Sequence, residues 1–131
     1  MIAKELRIGN LVYLRSKEKI YQIDSGHDIE EIDDAPEMFD ATPIILTDEW
    51  FQKFERFYKD EEYWCIDIND YKYCFKYRDW AKNWAFYQEF TDSPFPEDEG
   101  KKHPVSFDIK YVHQLQNLYF ALQHEELKLK I

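Results

Sequence analysis

Tyr63 to Tyr77 reads "YWCIDINDYKYCFKY", and its alternation decides the fold class. A two-residue turn at Asn69-Asp70 makes opposite residues sum to 139. Trp64 then faces Phe75, Ile66 faces Tyr73 and Ile68 faces Tyr71. The other face pairs Asp67 with Lys72 and Cys65 with Cys74. One face is wholly apolar or aromatic and the other is mixed. A slip of one residue would destroy that sorting, so the register is well specified.

The flanking segments extend this sheet. "ELRIGNLVYLRSKEKIYQI" reads as a second hairpin, with strands at Leu11–Leu14 and Ile20–Ile23 and a polar turn at Ser16–Lys19. Such an opening is common in small β-barrels. "WAFYQEF", Trp84 to Phe90, is a further strand. Two helices are expected. "TDEWFQKFERFYK" has Thr47 as N-cap, acids in its first turn, and Trp50, Phe51, Phe54, Phe57 and Tyr58 at helical spacing. "SFDIKYVHQLQNLYFALQHEEL" has Asp108 as N-cap and a stripe of Val112, Leu115, Leu118, Tyr119 and Leu122. The ending "LKLKI" alternates as an edge strand would. The fold class is α+β, an antiparallel β-sheet with an N-terminal end that can curl toward a barrel, packed against two α-helices. Residues 1–131 fit one domain by size. The aromatic share of 18% supplies large buried areas for a core.

Charge is concentrated. "DSGHDIEEIDDAPEMFD", Asp24 to Asp40, holds eight carboxylates and no Lys or Arg. "TDSPFPEDEG", residues 91–100, holds four more. These segments carry −12 against a net charge of −10, so the remainder is close to neutral. Both read as loops, the first with at most one turn of helix. Clustered acidity makes a surface field and disfavours direct contact with nucleic acid or anionic membranes.

Three uses of the first acidic stretch are open. It can be a solvated loop. It can bind calcium, although "DSGHDIEEIDDA" lacks the Gly and Glu positions of an EF-hand loop. It can also mimic a phosphate backbone and occupy a basic protein groove. The residues for that last use are Asp28, Glu30, Glu31, Asp33, Asp34, Glu37, Glu97, Asp98 and Glu99. Ile29, Ile32, Met38 and Phe39 would anchor the stretch, on a partner or on its own core.

Catalytic motifs are absent from the sequence. There is no G-x-S-x-G, P-loop or G-x-G-x-x-G pattern. His27, His103, His113 and His124 form no metal-binding spacing, and no cofactor or metal is expected. They read as ordinary surface or interface histidines. "YKYCFKY" interleaves rings with lysines, as a single-strand stacking platform does, but its rings also fall on the alternation a core needs. Cys65 and Cys74 read as two reduced thiols, with a redox switch as the sharper alternative. Met1–Asn10 has no apolar leader pattern and no run reaches membrane-span length, which points to the cytoplasm.

"ELRIGNLVY", "PIILTDEWFQKF" and "IKYVHQLQNLYFAL" together resemble an uncharacterised group of small proteins of bacterial genomes and their prophages. The resemblance covers about a third of the chain. It implies an accessory protein of a mobile element and carries over no catalytic residue. The expected function is a non-enzymatic acidic interaction protein, an antagonist that covers a basic nucleic-acid-binding surface of a host defence protein. The alternatives are a structural or assembly protein of a mobile element and a small enzyme with an unrecognised pocket.

Overall fold

A computed structural model describes residues 6–34, 41–69, 71–90 and 102–130. The architecture is α+β: antiparallel sheets with three helices among the described residues. The chain forms two compact units, Met1–Leu46 with Tyr111–Glu126, and Thr47–Lys110 with Leu127–Ile131.

In the first unit, β1 (Leu11–Leu14) pairs with β2 (Lys19–Gln22) and β3 (Ala41–Thr42) in an open sheet of order β2-β1-β3. The sheet does not close into a barrel. β1 is buried at Leu11, Val12 and Leu14 and exposed at Tyr13, and Val12 packs with Leu6 and Ile23. Helix α1 (Gly26–Asp34) lies where a loop was expected. Its cause is local. Asp28 N–H donates to Ser25 Oγ at 3.3 Å, the side-chain cap of a helix start. Ile29 then packs against the Leu6–Val12–Ile23 cluster.

Helix α3 (Val112–Gln123) completes this unit and contacts β1. It begins three residues later than an N-cap at Asp108 would place it. Tyr111 is its N-cap, and Tyr111 N–H donates to Gln114 Oε1 at 3.0 Å. Leu118 and Leu122 of the expected stripe are half-buried, while His113 and Gln116 are buried. His113 is thus a core residue rather than a surface one, its ring stacked on Tyr111.

The second unit is a sheet of order β4-β5-β6-β7-β8: Tyr58–Asp60, Tyr63–Ile68, Tyr71–Arg78, Asn83–Phe90 and Lys102–Ile109. β5 and β6 pair in the register read from the sequence, Trp64 to Phe75 through Ile68 to Tyr71. Asn69 has φ 55°, as a tight primed hairpin turn demands. β8 forms where the sequence pattern points to a loop and a helix start. Its Pro104 is tolerated because β8 is an edge strand, where a missing N–H breaks no inner ladder.

Helix α2 (Asp48–Lys53) is shorter than its aromatic spacing suggested. Phe54 turns extended and makes an isolated antiparallel bridge to Leu129, so "LKLKI" contributes one bridge rather than an edge strand of a sheet. Glu55 N–H donates to Lys128 O, and Lys130 N–H to Lys53 O. Thr47 caps α2 without a side-chain hydrogen bond. Phe51 is fully buried, stacked on Trp64 at 5.6 Å and in ring contact with Phe57, Phe75 and Trp84.

Candidate functional site

The acidic stretch is partly helical, which changes what its carboxylates do. Asp28 is buried. Its Oδ2 accepts from Tyr21 Oη–H at 2.9 Å and from Asp24 N–H at 3.3 Å. Burial pushes its carboxyl up, and the hydrogen bonds from Tyr21 and around Asp24 outweigh that and hold it below the ordinary value. Asp24 is raised by its hydrogen-bonded proximity to Asp28. Asp28 therefore serves the fold of its own unit. The signal was in the sequence as Ser25-x-x-Asp28, a capping pattern masked by the surrounding acids.

Glu30 is exposed. Glu31, Asp33 and Asp34 belong to the same helix. Glu37, Glu97, Asp98 and Glu99 lie outside the described residues, as do Met38 and Phe39. Five acids thus occupy nine helical residues, about 13 Å of axis at ~1.5 Å per residue. Only Asp28 sits in the first turn, where the helix dipole favours a carboxylate. Asp33 and Asp34 fall in the last turn, which holds no basic residue. There the dipole opposes them.

The second unit carries a polar sheet face opposite its aromatic one. Register puts Tyr58, Cys65, Cys74 and Tyr87 in one row across β4 to β7. Both thiols are free and fully buried, with 3.3 Å between their Sγ atoms. Cys74 Sγ also lies 3.8 Å from Glu89 Oε2. Lys72 Nζ bridges Asp60 Oδ2 at 2.5 Å and Glu89 Oε2 at 3.4 Å, and Lys102 approaches Glu89 at 3.7 Å. Burial disfavours the Lys72 charge, but the hydrogen bond to Asp60 and the nearby anionic groups, Glu89 among them, together outweigh it and raise its pKa.

This pairing bears on the lysine-interleaved "YKYCFKY". Tyr73 and Phe75 face the core and stack on Phe86. Lys76 pairs with Glu62 at 2.9 Å, and Arg78 with Asp108 at 2.5 Å. The cations are matched by carboxylates, so the face presents alternating charge rather than a phosphate-binding stripe.

A groove of about 190 Å³ is lined by Asp48, Lys59, Glu62, Lys76, Tyr77 and Trp84. It is smaller than ordinary small-molecule pockets. Asp48 Oδ1 accepts from Trp64 Nε1–H at 2.7 Å and lies 3.6 Å from Lys59 Nζ. Its charged groups are thus engaged with one another. Among the described residues no His, Cys, Asp and Glu cluster forms a metal-holding group.

No protein family profile, curated protein or solved structure matches this chain. Among the described residues, no helix is long and apolar enough to cross a membrane.

Proposed function

We propose that the protein is a non-catalytic binding module whose acidic α1 segment docks on a basic partner surface. The observation that carries this reading is the placement of Asp33 and Asp34 in the last turn of α1, a turn that holds no basic residue of its own. Each acid there works against the helix dipole by about 0.3–1 kcal/mol. A local choice that opposes the helix dipole is expected where function selects it. The dense carboxylates would imitate a nucleic-acid backbone and steer association electrostatically. In its sharpest form the partner is a host defence protein whose nucleic-acid site is covered, and the chain is an accessory of a mobile element.

The test compares the native chain with a variant carrying Glu30→Gln, Glu31→Gln, Asp33→Asn and Asp34→Asn. Each is immobilised and exposed to bacterial lysate at low and high salt. The reading expects a basic protein held by the native chain alone, released by salt and by added single-stranded DNA. Equal capture by both chains, or none, overturns it.

A further inference from the structure

We propose that Cys65 and Cys74 are a reversible redox site that closes to a cross-strand disulfide when hydrogen peroxide is the oxidant. The geometry carries this, independently of the acidic helix. The two residues are direct partners in an antiparallel pair, three pairs outward from Ile68–Tyr71, the pair that closes the hairpin. Counting outward from that closing pair, which is hydrogen-bonded, they occupy a non-hydrogen-bonded position, where α-carbons approach most closely and a disulfide fits. The sulfurs are already 3.3 Å apart. Reaching the ~2.05 Å bond requires an approach of about 1.2 Å, within the range of side-chain rotation.

The two thiols are not equivalent. The hydrogen bond shared with Cys74 holds the Cys65 thiol below its ordinary value against the effect of burial, and Lys72 adds to the lowering. The same contact, with burial, pushes Cys74 up. The Glu89 carboxylate, 3.8 Å from Cys74 Sγ, also opposes a thiolate there, so Cys65 is the attacking sulfur and Cys74 the resolving one.

In the first step Cys65 Sγ, as thiolate, attacks one peroxide oxygen. An S–O bond forms, the O–O bond breaks, and the departing hydroxide takes up a proton to become water. In the second step Cys74 gives up its proton and attacks Sγ of the Cys65 sulfenic acid. The S–S bond forms, the S–O bond breaks, and hydroxide leaves with that proton as a second water. Two thiols lose two electrons and two protons, and one peroxide is reduced to two waters. A dithiol reductant reverses the change by exchange.

Access limits the oxidant to a small molecule, because both thiols are fully buried. The route is the sheet edge. Tyr58, the cross-strand neighbour of Cys65, lies on three-residue β4, the outermost strand. Short edge strands open locally far more often than a whole domain unfolds. Once Cys65 is oxidised, Cys74 is held in place, so the second step is intramolecular and outruns further oxidation.

The test exposes the reduced, folded chain to hydrogen peroxide, removes the excess with catalase, then denatures, alkylates and weighs it. The expected product is a monomer lighter by two hydrogens, with no alkyl group added, whose digest links the Cys65 and Cys74 peptides. Dithiothreitol should restore two alkylatable thiols. Recovery of both thiols under conditions that oxidise the same chain in urea would overturn the proposal. So would sulfinic acid or an intermolecular dimer as the main product. In Cys74→Ser the sulfenic acid should persist on Cys65 and be trapped by dimedone. Absence of that adduct in folded Cys74→Ser overturns the assigned order. If the variant does not fold, the native-chain result decides.

Discussion

Gln116 holds the start of β1 in place through Leu11: its Oε1 accepts from Leu11 N–H at 2.8 Å, in a buried position. The same amide donates from Nε2 to Gly9 O at 3.1 Å. Beside it, Asn10 Nδ2–H donates to Asn117 Oδ1 at 2.8 Å, and Arg7 pairs with Glu126. "RIGNL" and "HQLQNL", segments more than 100 residues apart, are therefore two halves of one polar network. Gln116→Met keeps the volume and removes both hydrogen bonds. It leaves a buried N–H without its acceptor, and urea unfolding should show a loss of about 2–3 kcal/mol. A change below half of that would mean water replaces the amide there.

Gly9 has φ +100°, a region that L side chains rarely adopt. An added Cβ would also stand 2.9 Å from the Glu126 carboxyl group. Gly9→Ala should therefore destabilise by about 2–3 kcal/mol, combining backbone strain with displacement of the Arg7–Glu126 pair. A double-mutant cycle separates the two. Gly9→Ala made in a Glu126→Ala background should be milder, because only the backbone strain remains. Equal losses in both backgrounds would show that Glu126 swings aside freely.

Asp28 predicts an acid limit for α1. Its carboxyl sits below its ordinary value in the folded chain. A depressed acid adds stability that is present above the unfolded pKa, about 4, and lost as pH falls through the folded value. Asp24 is raised, which works in the opposite sense, so the loss is that of Asp28 less the relief at Asp24. Amide exchange of α1 should accelerate below about pH 4 relative to β5 and β6. Asp28→Asn should flatten that dependence. An α1 exchange profile unchanged by the substitution would remove Asp28 as its cause.

The opposed acids at the end of α1 give a prediction of unusual sign. Asp33→Asn with Asp34→Asn should stabilise the helix by about 0.5–1.5 kcal/mol at low salt, and by less as salt rises. Calorimetry at two ionic strengths checks this. A loss of stability would mean that these carboxylates serve the fold, and the binding reading would lose its main support.

Legibility followed the strength of the local pattern. The β5–β6 register was readable because every one-residue slip mixes Trp64, Ile66, Tyr73 and Phe75 with charged positions. α1 was hidden because Asp and Glu neighbours drown the Ser25–Asp28 cap and leave Ile29 as its only described core contact. α2 was overextended because Phe54 and Phe57 satisfy helical spacing and strand burial alike, and pairing with residues 128–130 decided for extension. β8 was missed because Pro104 argues against a strand unless the strand is known to be an edge. The acidic surface was legible as composition only. Sequence could not show that Asp28 turns inward, since that depends on Tyr21 across a turn. The cross-strand cysteine pair, by contrast, followed directly from the register.

Phe51 is the keystone of the second unit, and its removal is the largest effect expected. It has no exposed surface and meets four rings, those of Phe57, Trp64, Phe75 and Trp84, with centroids 4.8–5.6 Å away. α2 has only six residues, too short to be stable by itself. Its place depends on this ring. Phe51→Ala should cost about 3–5 kcal/mol, through lost burial and the cavity left between Trp64 and Phe75. Phe51→Leu refills much of that volume and should lose less than half as much. Near-ultraviolet circular dichroism and urea unfolding of both variants check the order. Similar losses for Ala and Leu would mean that ring stacking on Trp64, rather than filled volume, is what α2 requires.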